Sequence, residues 1–229
     1  MKNAIGIVGC SYSAGVSGDG DDSWVYELSK MHPEINFVNA SRGGSCLQFA
    51  YHVYEQLKEL EQFNIEKKIF QITTPWRYTI YPHDFHIRDY LKQLTDNLWI
   101  LDSEKIKNRD FAFTTPGWLN MSSYKKETLS KFEMNTLDYI FKFYRYTHNE
   151  SFKINYRSIC EKIKKDASYC FAHNKETITP KGITSIEEVF TTEQFKKYVI
   201  DDSSHFNKDG LIEMAKWASK MFITEGNNL

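Results

Sequence analysis

Three short apolar runs, each followed at once by small and polar residues, constrain this fold most. The first, residues 4–9, ends in Gly9 and reads as a strand buried on both faces. The second is Asn36–Asn39, followed by a tight glycine-bearing loop at 40–44. The third is 68–72, which runs into Thr73. Residues 10–22, rich in Gly, Ser and Asp, read as a loop, and 23–31 as a short helix with Trp24 and Leu28 on one face. Ser45 and Gln48 form an S-x-x-Q capping box that opens a helix to about Gln62, with Leu47, Ala50, Tyr54 and Leu57 on its apolar face. Strand, loop and helix repeated in this way predict an α/β protein with a parallel sheet and helices on both faces. Ligands of such sheets bind beyond the carboxyl ends of the strands. The loops starting at Cys10, Ala40 and Thr73 all fall on that edge, so their residues are expected to be neighbours in space.

Residues 73–127 are aromatic, rich in turn signals and weakly periodic, and read as an insertion or lid with short helices. Leu129, Phe132, Leu137, Ile140 and Tyr144 mark a further helix. Thr147 and Glu150 form another capping box, before a helix carrying Phe152, Tyr156, Ile159 and Ile163 at spacings of four, three and four. Tyr169–Ala172 is a fourth parallel strand. Ser185 with Glu188, and Thr191 with Gln194, cap two short helices. Asn207 caps the last one, whose apolar face is Leu211, Ala215, Ala218 and Phe222. There is no internal repeat and no linker, so the 229 residues are expected to form one domain.

Charge and cysteine usage narrow the function classes. Lys and Arg number 29 against 30 Asp and Glu, a net charge of -1, which gives no electrostatic footprint for nucleic acid or an anionic membrane. No apolar run approaches the roughly 20 residues of a membrane span. The start of the chain lacks the pattern of a signal peptide, so a soluble, cytoplasm-like setting is expected. Cys10, Cys46, Cys160 and Cys170 form no C-x-x-C and fit reduced, mostly buried thiols; their spacing does not suit a metal. His83 and His86 flank Asp84 and Phe85 and are read as a solvated loop rather than a metal site. The Lys-, Asn-, Phe-, Tyr- and Ile-rich composition with 5 Pro fits an AT-rich coding genome, such as that of a bacterium or bacteriophage.

Residues able to carry chemistry cluster at the two ends of the chain. The first strand runs into Gly9-Cys10-Ser11-Tyr12-Ser13-Ala14-Gly15. This is not G-x-G-x-x-G, and the second strand ends in Asn39 rather than an acid for a ribose hydroxyl. It is not a Walker loop, and Ser13 replaces the second glycine of a G-x-S-x-G elbow. What remains is a serine just past a strand end. Near the other end stands Asp202-Ser203-Ser204-His205. An Asp three residues before a His can accept the imidazole Nδ1–H and leave Nε2 free to take a proton, as in a serine hydrolase. Cys10 is a rival nucleophile, read instead as a small buried residue beside the strand. Trp76, Tyr78, Trp118 and Tyr124 are either a sugar-stacking surface or the core of the insertion.

Gly9-Cys10-Ser11 after the first strand, Asn39 to Ser45 after the second, and Asp202-x-x-His205 before the last helix resemble the SGNH (GDSL-type) hydrolases. The resemblance implies a flavodoxin-like three-layer α/β/α sandwich with a mostly parallel sheet. It implies a serine esterase that hydrolyses a small ester through an acyl-enzyme, with Ser11 as nucleophile, His205 as general base and Asp202 as its partner. The backbone N–H groups of Ser11 and Gly44 would form part of the oxyanion hole. No metal or organic cofactor is implied, and the expected partner is a small-molecule or carbohydrate ester, an O-acetylated sugar above all. Two positions depart from the family pattern. Cys10 stands where an Asp is usual, and Gln71-Ile72-Thr73-Thr74-Pro75-Trp76-Arg77 lacks the family's Gly-x-Asn-Asp. Thr73, Thr74 or Arg77 would then supply the missing donor, with Thr74 and Arg77 favoured. A binding module without turnover, or an acyltransferase, are the alternatives on the same fold.

Overall fold

The computed structural model describes residues 2–15, 22–43, 45–60, 63–73, 78–80, 112–114, 149–172, 179–200 and 205–224. Five strands, β1 (Lys2–Val8), β2 (Asn36–Asn39), β3 (Phe63–Ile72), β4 (Tyr169–Ala172) and β5 (Thr184–Ser185), form one sheet. Their spatial order is β2-β1-β3-β4-β5, and every neighbouring pair is parallel. This is the flavodoxin-like order. Two antiparallel ribbons stand apart from the sheet, Tyr78–Ile80 with Ala112–Thr114 and Val199–Ile200 with His205–Phe206.

The helices are α1 (Ser11–Ala14), α2 (Trp24–Met31), α3 (Leu47–Gln56), α4 (Asn149–Asp166), α5 (Ile186–Val189), α6 (Thr192–Tyr198) and α7 (Lys208–Ala218). The last continues as a π-helical turn, Ser219–Thr224. No helix among the described residues is long and apolar enough to cross a membrane.

The period-2 alternation of β1 divides the core into two layers. Ala4 and Val8 face one side, with Val38, Phe70 and Ile72; there they meet Leu47, Ala50, Val53 and Leu57 of α3 and Tyr156, Cys160 and Ile163 of α4. Ile5 and Ile7 face the other side, with Phe37, Ile69 and Phe171; there they meet Trp24, Val25 and Leu28 of α2 and Leu211, Met214, Ala215 and Ala218 of α7. Helices cover both faces, so β1 has to be apolar on both. Burying one such side chain contributes about 1.5–3 kcal/mol.

Because α2 follows β1 on one face and α3 follows β2 on the other, the winding reverses at the exit of β1. The crevice between the ends of β1 and β3 is the topological switch point where doubly wound sheets bind ligands.

Several local expectations need correction. Residues 10–22 are not loop throughout, because Ser11–Ala14 forms a helical turn. The cap of α3 is Cys46, whose Sγ accepts the Phe49 N–H at 3.4 Å, and not Ser45. Ser45 turns its hydroxyl to the Gly9 carbonyl instead, at 3.1 Å. The α-helix ends at Gln56 and tightens into a 3₁₀ turn, Leu57–Glu59, short of Gln62. β3 begins at Phe63, five residues before the expected start, because its first half pairs with β1 from Lys2 onward. Other expected caps form: Thr191 and Gln194 bond reciprocally at 3.2 and 3.0 Å, and Asn207 Oδ1 accepts the Gly210 N–H at 3.0 Å. The expected helix at 129–144, the Thr147 cap and most of the 73–127 insertion lie outside the described residues.

Candidate active site

Gly9 leaves β1 with no side chain, and this is a steric requirement. A Cβ there would fall 2.5 Å from Gln71 Oε1 and 2.8 Å from Gln71 Cβ. The close approach lets β3 grip the turn that follows. Gln71 Oε1 accepts the Ser13 hydroxyl at 2.7 Å and the Cys10 N–H at 3.3 Å, while Gln71 Nε2 reaches Cys10 Sγ at 3.4 Å. From α2, the Trp24 indole N–H donates to Ser13 Oγ at 3.0 Å. From β2, Asn39 Nδ2 donates to the Ser13 carbonyl at 2.6 Å. The Gly9 carbonyl accepts the Arg42 N–H at 3.1 Å in addition to the Ser45 hydroxyl. Ser13, Gln71 and Asn39 are all buried, so each of these bonds satisfies a group that would be costly to leave alone. Residues 9–13 are thereby held from β2, β3 and α2 together.

Ser11 is the first residue of α1 and is half-buried. Its carbonyl accepts the Gly15 N–H at 3.0 Å, and Gly15 takes φ 92°, a left-handed conformation suited to glycine. The N–H of a first helical residue has no acceptor within the helix. Ser11 Oγ lies 2.9 Å from His205 Nε2.

The imidazole arrives from the far end of the chain on the Val199–Ile200 ribbon, where Ile200 pairs with His205 and Val199 with Phe206. The ribbon is pinned by the Asn207 N–H to the Tyr198 carbonyl at 2.7 Å. Phe206 packs edge-on against Phe190 and Tyr12, at centroid distances of 5.5 and 5.4 Å. The Tyr12 ring stacks on the His205 ring at 5.1 Å with 23° between planes.

The structure thus brings Ser11 and His205 together. On the loop after β2, a Cβ built on exposed Gly43 would stand 3.7 Å from Ser11 Cβ, which places this loop beside Ser11. Gly44, Thr74, Arg77 and Asp202 lie outside the described residues, as do Trp76, Trp118, Tyr124 and residues 83–86. Thr73 is buried, and its carbonyl accepts the Tyr156 hydroxyl at 3.0 Å. Cys10 is buried beside the strand, as read from the sequence; its sulfur lies against Gln71, and all four cysteines are free thiols. Burial pushes the Cys160 thiol up to about 12 and the Cys170 thiol up to about 11, which keeps both protonated and inert.

A second serine–histidine contact lies elsewhere. Ser219 Oγ is 2.7 Å from His32 Nε2, and His32 Nδ1 is 3.3 Å from Glu34 Oε1. Ser219, however, sits at the C-terminal end of α7, with its N–H already donated to the Ala215 and Lys216 carbonyls. The helix runs on through the Ser219–Thr224 turn, and the Ser219 N–H, already donated within it, is not available to an oxyanion. Among the described residues, only Ser11 pairs a histidine with the first residue of a helix.

Sequence reading missed the roles of Gln71, Ser13 and Tyr12. The signal for Gln71 was a polar residue inside the apolar run Ile69-Phe70-Gln71-Ile72, on the same strand face as Ile69. Comparison with protein-family models, with curated proteins and with solved structures found no match for this chain.

Proposed function

We propose that this protein is a serine esterase acting on a small ester, with an O-acetyl group on a carbohydrate as the preferred substrate. The observation that carries the reading is the 2.9 Å contact between Ser11 Oγ and His205 Nε2 at the carboxyl edge of a parallel sheet. The resemblance of the loops around Ser11, Gly44 and Asp202 to SGNH hydrolases supports it. In this mechanism His205 Nε2 takes the Ser11 proton as Oγ bonds to the ester carbon. The negative charge on the former carbonyl oxygen is met by backbone donors, the Ser11 N–H and, by the resemblance, the Gly44 N–H. His205 returns the proton to the leaving alcohol as its bond breaks. Water then attacks the acyl-enzyme by the same route, releasing the acid and restoring Ser11. Asp202 is placed by the resemblance as the acceptor of the imidazole Nδ1–H, and Thr74 or Arg77 as the third oxyanion donor.

The test is a fluorophosphonate on the purified chain, followed by intact mass and peptide mapping. One adduct on Ser11 is expected, with His205→Ala slowing it by about 10⁴-fold or more, the usual scale for a lost triad member. A folded protein that takes no adduct would overturn the reading in favour of a binding module.

A further inference from the structure

We propose that Tyr12 is a further catalytic residue, whose ring face stabilises the protonated imidazole of His205; the inference rests on the esterase reading above. Ser11 and Tyr12 are consecutive, yet they engage different parts of one ring. Ser11 meets the imidazole at its edge, through Nε2, while Tyr12 covers its face at 5.1 Å and 23°. A cation within about 6 Å of an aromatic centroid is attracted by the negative ring face.

His205 is neutral before attack and cationic once it has taken the Ser11 proton. The Tyr12 ring therefore gains attraction only as the transition state is approached, which is the condition for an interaction to raise turnover rather than binding alone. Tyr12 itself neither gives nor takes a proton.

The surroundings hold this geometry. Tyr12 is buried and lies edge-on to Phe206 at 5.4 Å and 90°. Phe206 is in turn held edge-on by Phe190 at 5.5 Å and by Phe195 at 6.0 Å. Among the described residues, the elements packed against His205 present the following charged and titratable groups. On α1 they are the Ser11 hydroxyl and the Tyr12 phenol; the cross-strand neighbour is apolar Ile200; Lys208 on α7 is engaged by Glu27; Asp202 lies outside the described residues.

The experiment follows the His205 imidazole by NMR titration in the free protein, assigned with His205→Gln, alongside kinetics on an activated ester. Tyr12→Leu is expected to lower the His205 pKa by about half to one unit. It should also lower kcat by up to about 3- to 10-fold with KM nearly unchanged. Tyr12→Phe keeps the ring face and should stay close to the native protein in both. A Tyr12→Leu protein that titrates like the native one overturns the proposal. So does a Tyr12→Phe protein that falls as far as Tyr12→Leu, since the hydroxyl would then be responsible. If the leucine variant does not fold, pentafluorophenylalanine at position 12 keeps the shape and removes the negative face. It should lower the His205 pKa, and an unchanged value overturns the proposal. The titration needs no turnover, so failure of the esterase reading and failure of the Tyr12 proposal are read separately.

Discussion

Gln71 Oε1 accepts the Ser13 hydroxyl at 2.7 Å, which ties the end of β3 to the turn carrying Ser11 two residues earlier. Gln71→Leu keeps a similar volume but strands the Cys10 N–H and the Ser13 hydroxyl in a buried site. Each orphan costs about 1–3 kcal/mol. The expected result is a lowered Tm and a phosphonylation rate at Ser11 reduced at least about tenfold. Adding Ser13→Ala should cost less than the sum of the two single changes, because the pair shares one bond. A Gln71→Leu protein with native Tm and native labelling would show that this network does not position Ser11.

Ser219 provides an internal comparison. Its contact with His32, at 2.7 Å, is shorter than that of Ser11 with His205. If serine–histidine distance alone sufficed, both serines would react with a fluorophosphonate. The difference in free N–H donors predicts labelling of Ser11 only, with Ser219→Ala leaving its rate unchanged. An adduct mapped to Ser219 would refute the argument from donors.

Stability in acid should depend on Glu27. Its carboxylate is buried on α2 between Lys30, at 3.1 Å, and Lys208. Burial alone would raise its pKa, but hydrogen bonds and charge from the two ammonium groups prevail and hold it below 4.5. A carboxyl with a depressed folded pKa adds stability above its unfolded pKa, and loses it as pH falls through the folded value. Both lysines are half-exposed, so the contribution is on the order of 1 kcal/mol. Glu27→Gln should therefore melt lower than the native protein at pH 7. The gap should close as pH falls below about 4. An equal gap at pH 7 and pH 3, measured by thermal melts, would contradict this origin.

Gly210 tests how the histidine ribbon is seated. A Cβ on this α7 residue would stand 2.7 Å from Tyr198 Cβ, 3.0 Å from Phe206 Cβ and 3.1 Å from the Tyr198 carbonyl oxygen. Helix propensity favours alanine over glycine by about 1 kcal/mol. Overpacking a buried site costs about 1–3 kcal/mol, and a backbone atom is among those that must move. Overpacking should win, so Gly210→Ala is expected to lower Tm by several degrees and to slow labelling of Ser11 by displacing His205 with Phe206. A Gly210→Ala protein more stable than the native one, with native labelling, would show that the ribbon yields without cost.

The pattern of elements was legible in the sequence because its signals are local. The apolar run over residues 4–9, the stripe of Leu211, Ala215 and Ala218, and the caps at Thr191 and Asn207 act over a few residues. Repetition of strand and helix then implies a parallel sheet whose exits share one edge, and this already placed Ser11 at the ligand-binding edge.

What only tertiary structure decided are the partners chosen at a distance. Ser11 and His205 are 194 positions apart, and their 2.9 Å contact depends on how α7 seats the ribbon against α1. Ser45 has a capping pattern, but the Gly9 carbonyl 36 positions away claims its hydroxyl and leaves the cap to Cys46. Gln71 sits among Ile69, Phe70 and Ile72, and its polarity has a purpose only once β3 lies beside β1. A propensity or a cap is specified by neighbours along the chain. A buried hydrogen bond between strands is specified by sheet register, which no single segment contains.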